Sequence, residues 1–156
     1  MYDPLVCACV QNESIPLQLA KGGRALWGAY HRLVMPSSIT FRMVAAPQNL
    51  ARAHASDSWR EAFDTLVERV EAAMPFDLAL IACGGLGMPL GAYLRATNRS
   101  SMYNGGDLQM LFGIYGRRWW GLGALNLSFV HESWVRPTAA ETPAGASAVE
   151  GGTYWR

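Results

Sequence analysis

The segment from Phe76 to Trp119 constrains the fold of this chain more than any other part of its sequence. It begins with the nearly continuous apolar run DLALIAC, from Asp77 to Cys83, which is typical of a strand buried on both faces. The glycine-rich turn GGLG follows at once, where the backbone must turn sharply and can approach a ligand closely. Residues Met88 to Ala96 then predict a short helix, with a proline tolerated in its first turn.

The same pattern recurs directly downstream. Ser101 to Asn104 predicts a second parallel strand, and the turn GGD then opens a helix from Leu108 to Phe112. Two parallel strands that end side by side in glycine turns form the kind of crevice in which open α/β sheets bind ligands. We therefore predict a site for a polar small molecule at this edge of the sheet.

The upstream sequence supplies the rest of an alternating pattern. Leu5 to Val10 predicts a first strand, and Ser14 to His31 predicts a helix whose first residue is its N-cap. Ile39 to Ala46 predicts the second strand. Ser58 and Glu61 then form an S-x-x-E capping box ahead of a helix with an apolar stripe, which we interpret as core packing against the sheet.

Strands that alternate with helices predict an α/β fold with right-handed crossovers. We expect a Rossmann-like, three-layer domain with a mostly parallel sheet of about four strands flanked by helices, over residues 1–137. Residues 138–156 are rich in Ala, Gly, Thr and Pro, which predicts an irregular, loop-rich C-terminal tail.

Composition excludes several classes of partner. The 156 residues carry a formal net charge of +1, which does not favour nucleic acid. No apolar run approaches the roughly 20 residues that cross a bilayer, and the N-terminus lacks the basic region of a signal peptide. The three cysteines predict buried reduced thiols and not a disulfide framework. The expected compartment is the cytoplasm.

Recognisable catalytic motifs are missing, so the catalytic residues stay unknown. The three histidines are scattered, and the adjacent pair His131–Glu132 would point apart in a strand, so we predict no metal site. Cys83 at a strand end could have a lowered pKa, but the phosphatase spacing C-x5-R fails because position 89 is Pro89. The dinucleotide pattern G-x-G-x-x-G fails at Leu90.

Two later motifs carry chemistry suited to a sugar or a phosphate. The run Gly105–Gln109, GGDLQ, offers backbone N–H groups, a carboxylate and an amide at a helix N-terminus, although Asp107 can equally serve as the N-cap. Arg117 and Arg118 offer bidentate recognition of phosphate, and Trp119 offers a stacking face for a sugar ring or a base. The alternative is a basic, aromatic loop anchored by tryptophan.

Three segments together resemble the C-terminal half of the GT-D-type glycosyltransferase-like family: CGGLGMPLGAYL, NGGDLQMLFGIYGRRW and EGGTYW. The segments VCACVQNESIPLQ and FRMVAAPQNLA are similar to earlier strands of that family and their turns, so the resemblance covers nearly the whole chain. Asp107 stands where the family has a small residue. The family's acidic metal and nucleotide motif belongs to an N-terminal half that we expect to be absent here.

The resemblance implies a domain that binds a nucleotide-sugar or a glycan at the carboxyl edge of the sheet. Its motif positions also include Tyr154 and Trp155. The predicted ligand-binding residues are Gly84, Gly85, Gly87, Gly105, Gly106, Asp107, Gln109, Arg117, Arg118, Trp119 and Glu150. Among them Arg118 is the predicted main contact to an anionic group.

The resemblance leaves activity open. A divalent cofactor, Mn²⁺ or Mg²⁺, is implied only if an N-terminal half supplies its ligands, and without it we expect binding but no turnover. The alternatives are a non-catalytic binder of a nucleotide or glycan, and an assembly domain that packs its Trp119–Trp120 and Tyr154–Trp155 surfaces on a partner. That partner would be a second copy of the chain or the missing N-terminal domain.

Overall fold

A mixed α/β arrangement is confirmed by the computed structural model, which describes residues 5–9, 13–47, 58–120 and 130–155, with only the backbone for 5–9 and for Trp120. The strands are β1 (Leu5–Cys9), β2 (Phe41–Ala45), β3 (Leu78–Ala82) and β4 (Ser101–Tyr103). The α-helices are α1 (Ser14–Lys21), α2 (Gly23–Trp27), α3 (His31–Val34), α4 (Trp59–Ala72), α5 (Gly87–Ala96), α6 (Leu108–Leu111) and α7 (Arg117–Trp120). Short 3₁₀ turns cover Gly28–Tyr30, Gly84–Leu86, Gly105–Asp107, Ala146–Ala148 and Glu150–Gly152.

The four strands pair in the order β2-β1-β3-β4, and every pairing is parallel. Cys7 of β1 pairs with Met43 on one side and with Leu80 on the other, and Leu80 in turn pairs with Met102 of β4. Because the strands are parallel, their carboxyl ends meet at one edge of the sheet. The glycine turns after β3 and β4 therefore lie side by side at that edge.

Strand β3 is buried on both faces, as its apolar run predicts. Ala79 and Ile81 belong to a core formed with α4 and α5, whereas Leu80 and Ala82 belong to a second core formed with α1, α2 and α6. This split follows from the two-residue period of a strand. Helices consequently cover both faces of the sheet.

Helix α4 begins at the capping box that the sequence predicts. The Ser58 hydroxyl accepts a hydrogen bond from the Glu61 backbone N–H at 3.1 Å. Ala62, Leu66 and Val70 are buried at helical spacing against the sheet, while the opposite face is exposed. Its buried residues share one core with Ala79 and Ile81 of β3, the strand that leads into the first glycine turn.

The predicted helix Ser14–His31 is wrong as one continuous element. It breaks at Gly22, whose φ of 80° lies outside the helical region, and a 3₁₀ turn interrupts it again at Gly28. Ser14 is not the N-cap either; it lies inside the first turn, and the cap position is occupied by Glu13. The predicted last residue of the first strand, Val10, lies outside the described residues.

The C-terminal segment from residue 138 to 155 consists of turns and two 3₁₀ turns, and it packs against the domain. Glu141, Ala146 and Trp155 are buried there. Shortly before this segment, Val135 pairs with Ile114 in an isolated parallel β-bridge. In the described part of the chain, no helix has the length and apolar character needed to cross a membrane.

Candidate functional site

A pocket of about 350 Å³ lies at the carboxyl ends of β3 and β4. Its lining comes from the two glycine turns, from the start of α7 and from the C-terminal segment. The lining residues are Ala82, Gly84, Tyr103, Asn104, Gly105, Gly106, Asp107, Gln109, Arg118, Val149, Glu150, Tyr154 and Trp155. Four separate parts of the sequence therefore converge on one cavity.

Seven of the predicted ligand-binding residues line this pocket: Gly84, Gly105, Gly106, Asp107, Gln109, Arg118 and Glu150. Tyr154 and Trp155, which the family resemblance adds, also line it. Their role in binding stays a prediction. Sequence reasoning missed Ala82, Tyr103, Asn104 and Val149. The first three lie just before the glycine turns, so their position at a strand end was the available signal.

Four predicted residues do not line the pocket: Gly85, Gly87, Arg117 and Trp119. Gly87 has a packing explanation, because a Cβ there would lie 2.1 Å from Cε2 of Tyr103. Trp119 is only 2 % exposed, and its indole Nε1 donates a hydrogen bond to Asp107 at 3.0 Å. The alternative reading of this loop, an anchor formed by tryptophan, therefore describes Trp119.

Glycine suits the positions in the two turns for different structural reasons. Gly84 and Gly105 have φ values of 57° and 59°, in the left-handed region that favours glycine. Gly106 matters for a different reason, since a Cβ there would lie 2.3 Å from Cε1 of Tyr154. The second turn thus allows the Tyr154 ring to lie directly against the backbone.

Arg118 has protein partners in the pocket. Its Nη1 donates hydrogen bonds to Oε2 of Glu150 and, at 2.5 Å, to the hydroxyl of Tyr154. Its guanidinium carbon lies 4.8 Å from the centre of the Tyr154 ring. The Arg118 and Glu150 side chains are 35 % and 56 % exposed, and an ion pair with that much solvent contact contributes at most about 1 kcal/mol.

Asp107 and Gln109 connect the second turn to other segments. Asp107 occupies the N-cap position of α6, as the N-cap interpretation expects, but its side chain makes no capping hydrogen bond; its Oδ1 accepts from the Trp119 indole instead. Gln109 is buried, with Nε2 at 3.5 Å from the backbone oxygen of Tyr154. Helix α6 has only four residues, so it supplies little of the aligned backbone dipole that the GGDLQ motif suggests.

The charged side chains that line the described pocket are Asp107, Glu150 and Arg118, which gives two negative charges against one positive charge. Tyr154 adds a neutral polar group, because burial is the main factor that raises the pKa of its hydroxyl above the ordinary value. The tyrosine hydroxyl therefore stays protonated at neutral pH. The pocket offers more hydrogen-bond acceptors with negative charge than cationic donors.

Three aromatic residues, Tyr103, Tyr154 and Trp155, also line the pocket. The Tyr154 ring meets Trp119 edge-on at 6.1 Å and Trp155 at 5.8 Å between centroids. Tyr103 forms the rim on the other side, and its hydroxyl donates to the backbone oxygen of Gly84 at 3.2 Å. The arrangement combines carboxylates, one guanidinium and aromatic surface in a small volume.

Cys83 lies next to the pocket, and its surroundings do not favour a nucleophilic role. The thiol is buried, and burial raises its pKa to about 12, so it is protonated at neutral pH. The lowered pKa considered for this strand-end position is wrong. Within the described ranges, no cluster of three or more His, Cys, Asp or Glu residues is placed to hold a metal ion.

Comparisons of the chain with protein-family models, with curated proteins and with solved structures find no match. The pocket and the motifs that form it are therefore the features from which a function can be inferred.

Proposed function

We propose that this chain is a glycosyltransferase-like domain with a Rossmann-like, three-layer fold, and that it binds the sugar of a glycan or nucleotide-sugar in the pocket between Gly84, Gly105 and Tyr154. One observation carries the proposal: Asp107, Glu150 and the aromatic side chains of the pocket share a cavity at the carboxyl edge of a parallel sheet. Ligands of open α/β sheets bind at that edge.

The chemistry of the lining suits a sugar. Carboxylates accept hydrogen bonds from sugar hydroxyls, and a guanidinium or a tyrosine hydroxyl donates to them. The apolar faces of a sugar ring pack well on aromatic rings that carry a polar tip, such as those of Tyr103 and Tyr154. At about 350 Å³ the cavity is at the small end of the range for ligand sites, which supports recognition of one sugar unit.

The same lining does not support a complete transfer reaction. Departure of a nucleoside diphosphate needs neutralisation of its charge by a metal or by several cationic groups. Arg118 is the only cation among the described residues of the pocket, and it already pairs with Glu150. We therefore propose binding without turnover by this chain alone, with Mn²⁺ or Mg²⁺ acting only if another acidic segment supplies its ligands.

The assembly alternative stays a prediction, because the side chain of Trp120 lies outside the described residues. Trp119 and Trp155 are buried within the chain, so neither presents an indole surface to a partner. The Tyr154 ring is engaged by Arg118.

Isothermal titration calorimetry with a panel of neutral methyl glycosides and UDP-sugars tests the proposal. We expect measurable binding of at least one glycoside, and about a tenfold loss in Asp107→Asn, which removes a charged acceptor while keeping the side-chain shape. The matched control Asp64→Asn makes the same change at an exposed residue of α4 outside the pocket and should bind like the wild type. Failure of every sugar to bind, or equal binding by Asp107→Asn, would contradict the proposal.

A further inference from the structure

The ion pair between Arg118 and Glu150 determines what Arg118 can bind. An Nη atom of a guanidinium carries two hydrogens. On Nη1 of Arg118 one hydrogen bond goes to the Glu150 carboxylate and the other to the Tyr154 hydroxyl. This nitrogen therefore offers no further hydrogen to a phosphate oxygen while both partners stay in place.

Glu150 is held in this position by its own backbone and by Tyr154. Its φ of 46° lies in the left-handed region, which is uncommon for a residue with a side chain and concentrates at functional sites. Its second carboxylate oxygen, Oε1, accepts from the Tyr154 hydroxyl at 3.4 Å. The carboxylate thus bonds both to Arg118 of α7 and to the Tyr154 hydroxyl of the C-terminal segment.

An incoming phosphate would meet unfavourable electrostatics even if it displaced Glu150. The exposed ion pair is weak, so its hydrogen bond can be broken, but the carboxylate would remain on the same short turn beside the ligand. Asp107 adds a second negative charge to the pocket. A sugar hydroxyl, in contrast, carries no charge that the two carboxylates would repel, and it can donate to Glu150 without separating the ion pair.

We infer that Glu150 is a specificity-determining residue that excludes phosphate from Arg118, so that the pocket selects an uncharged sugar over a nucleoside diphosphate. This inference rests on the proposed function and deepens it by naming the ligand class. It also replaces the expectation that Arg118 is the main contact for an anion.

The test compares wild type, Glu150→Gln and Glu68→Gln by calorimetry, with inorganic pyrophosphate, UDP-glucose and the neutral methyl glycosides as probes. Glutamine keeps the length and one acceptor oxygen of Glu150 while removing its charge. Glu68 is exposed on α4 and outside the pocket, so Glu68→Gln gives the same change in net charge. We expect Glu150→Gln to bind pyrophosphate and UDP-glucose about five- to tenfold more tightly than the other two proteins.

The double variant Arg118→Ala/Glu150→Gln locates the effect. We expect the gain in pyrophosphate affinity to disappear, because the phosphate then has no guanidinium to contact. Persistence of the gain, absence of any gain in Glu150→Gln, or a wild-type preference for pyrophosphate over every glycoside would each overturn the inference. If a glycoside binds the wild type but Glu150→Gln gains nothing, the selectivity role fails alone. If no glycoside binds any variant, the proposed sugar site fails.

Discussion

The buried carboxylate of Glu141 caps helix α1 from the other end of the chain, accepting a hydrogen bond from the backbone N–H of Ser14 at 2.9 Å across 127 positions of sequence. The same carboxylate accepts from the Ser14 hydroxyl, from the Glu13 backbone at 3.1 Å and from the Thr138 backbone at 2.8 Å. It therefore joins the C-terminal segment, which forms one wall of the pocket, to the first helix of the domain.

We predict that Glu141→Ala lowers the free energy of unfolding by about 1.5–3 kcal/mol, the range for hydrogen bonds to a charged group. The loss leaves the first N–H groups of α1 without their acceptor. Urea unfolding followed by circular dichroism measures this change in the free energy of unfolding. Glu68→Ala, at an exposed position, should change stability by less than about 0.5 kcal/mol; similar losses in both variants would refute the capping role.

The same carboxylate should make stability depend on pH. Burial acts to raise the pKa of Glu141, but the hydrogen bonds from Ser14, Thr138 and Glu13 outweigh it, and the net pKa lies below the ordinary value of 4.5. Because the folded pKa is lower than the unfolded one, this stabilisation is complete above about pH 4.5 and is lost as pH falls through the folded pKa.

Urea midpoints of wild type and Glu141→Gln, measured from about pH 7 down to about pH 3, test this dependence. We expect the wild-type advantage to shrink on acidification. A difference between the two proteins that stays constant over this range would show that ionisation of Glu141 does not contribute.

Two glycines of the predicted site should respond differently to alanine. Gly106→Ala places a Cβ 2.3 Å from the Tyr154 ring, so the ring must move. The movement disturbs the contact between this ring and the Arg118 guanidinium. We expect a destabilisation of about 1–3 kcal/mol and weaker sugar binding. At Gly85 a Cβ meets nothing within 4 Å, so Gly85→Ala should keep stability and affinity. Loss of affinity in Gly85→Ala would instead mean that a ligand approaches that backbone closely.

Cys83 should be unreactive in the folded protein. The thiol is buried with a pKa of about 12, so thiolate is scarce at neutral pH. Brief treatment with iodoacetamide, followed by peptide mass spectrometry, should label Cys83 only after unfolding in urea. Rapid labelling of the native protein at this position would show an accessible thiolate and return Cys83 to the list of possible nucleophiles.

Local patterns predicted much of the fold. The Ser58–Glu61 box, the buried run of β3 and the two glycine turns depend on residues close in sequence, and the structure contains all of them. The alternation of strands and helices predicted a parallel sheet with both glycine turns at one edge, and most of the pocket lining comes from that edge. The break at Gly22 was harder to predict, because a glycine inside a helical pattern lowers helix stability without necessarily ending it.

The contacts that complete the site join distant parts of the chain, and no local pattern encodes them. Arg118 and Glu150 are 32 positions apart, and their pairing depends on how residues 138–155 fold back over the turns. Burial of Trp119 also depends on that tertiary packing, so the sequence could not distinguish a ligand surface from a buried anchor. In the structure the indole is buried and donates a hydrogen bond to Asp107.

The central claim, that a sugar binds between the two glycine turns and the C-terminal segment, is tested most directly by a ¹⁵N–¹H NMR titration with neutral methyl glycosides. We predict that a binding glycoside shifts the backbone signals of Gly84, Gly105 and Gly106 and leaves those of Arg95 and Asn98, outside the pocket, unchanged. Shifts confined to other regions of the chain, or none with any glycoside at millimolar concentration, would contradict the account.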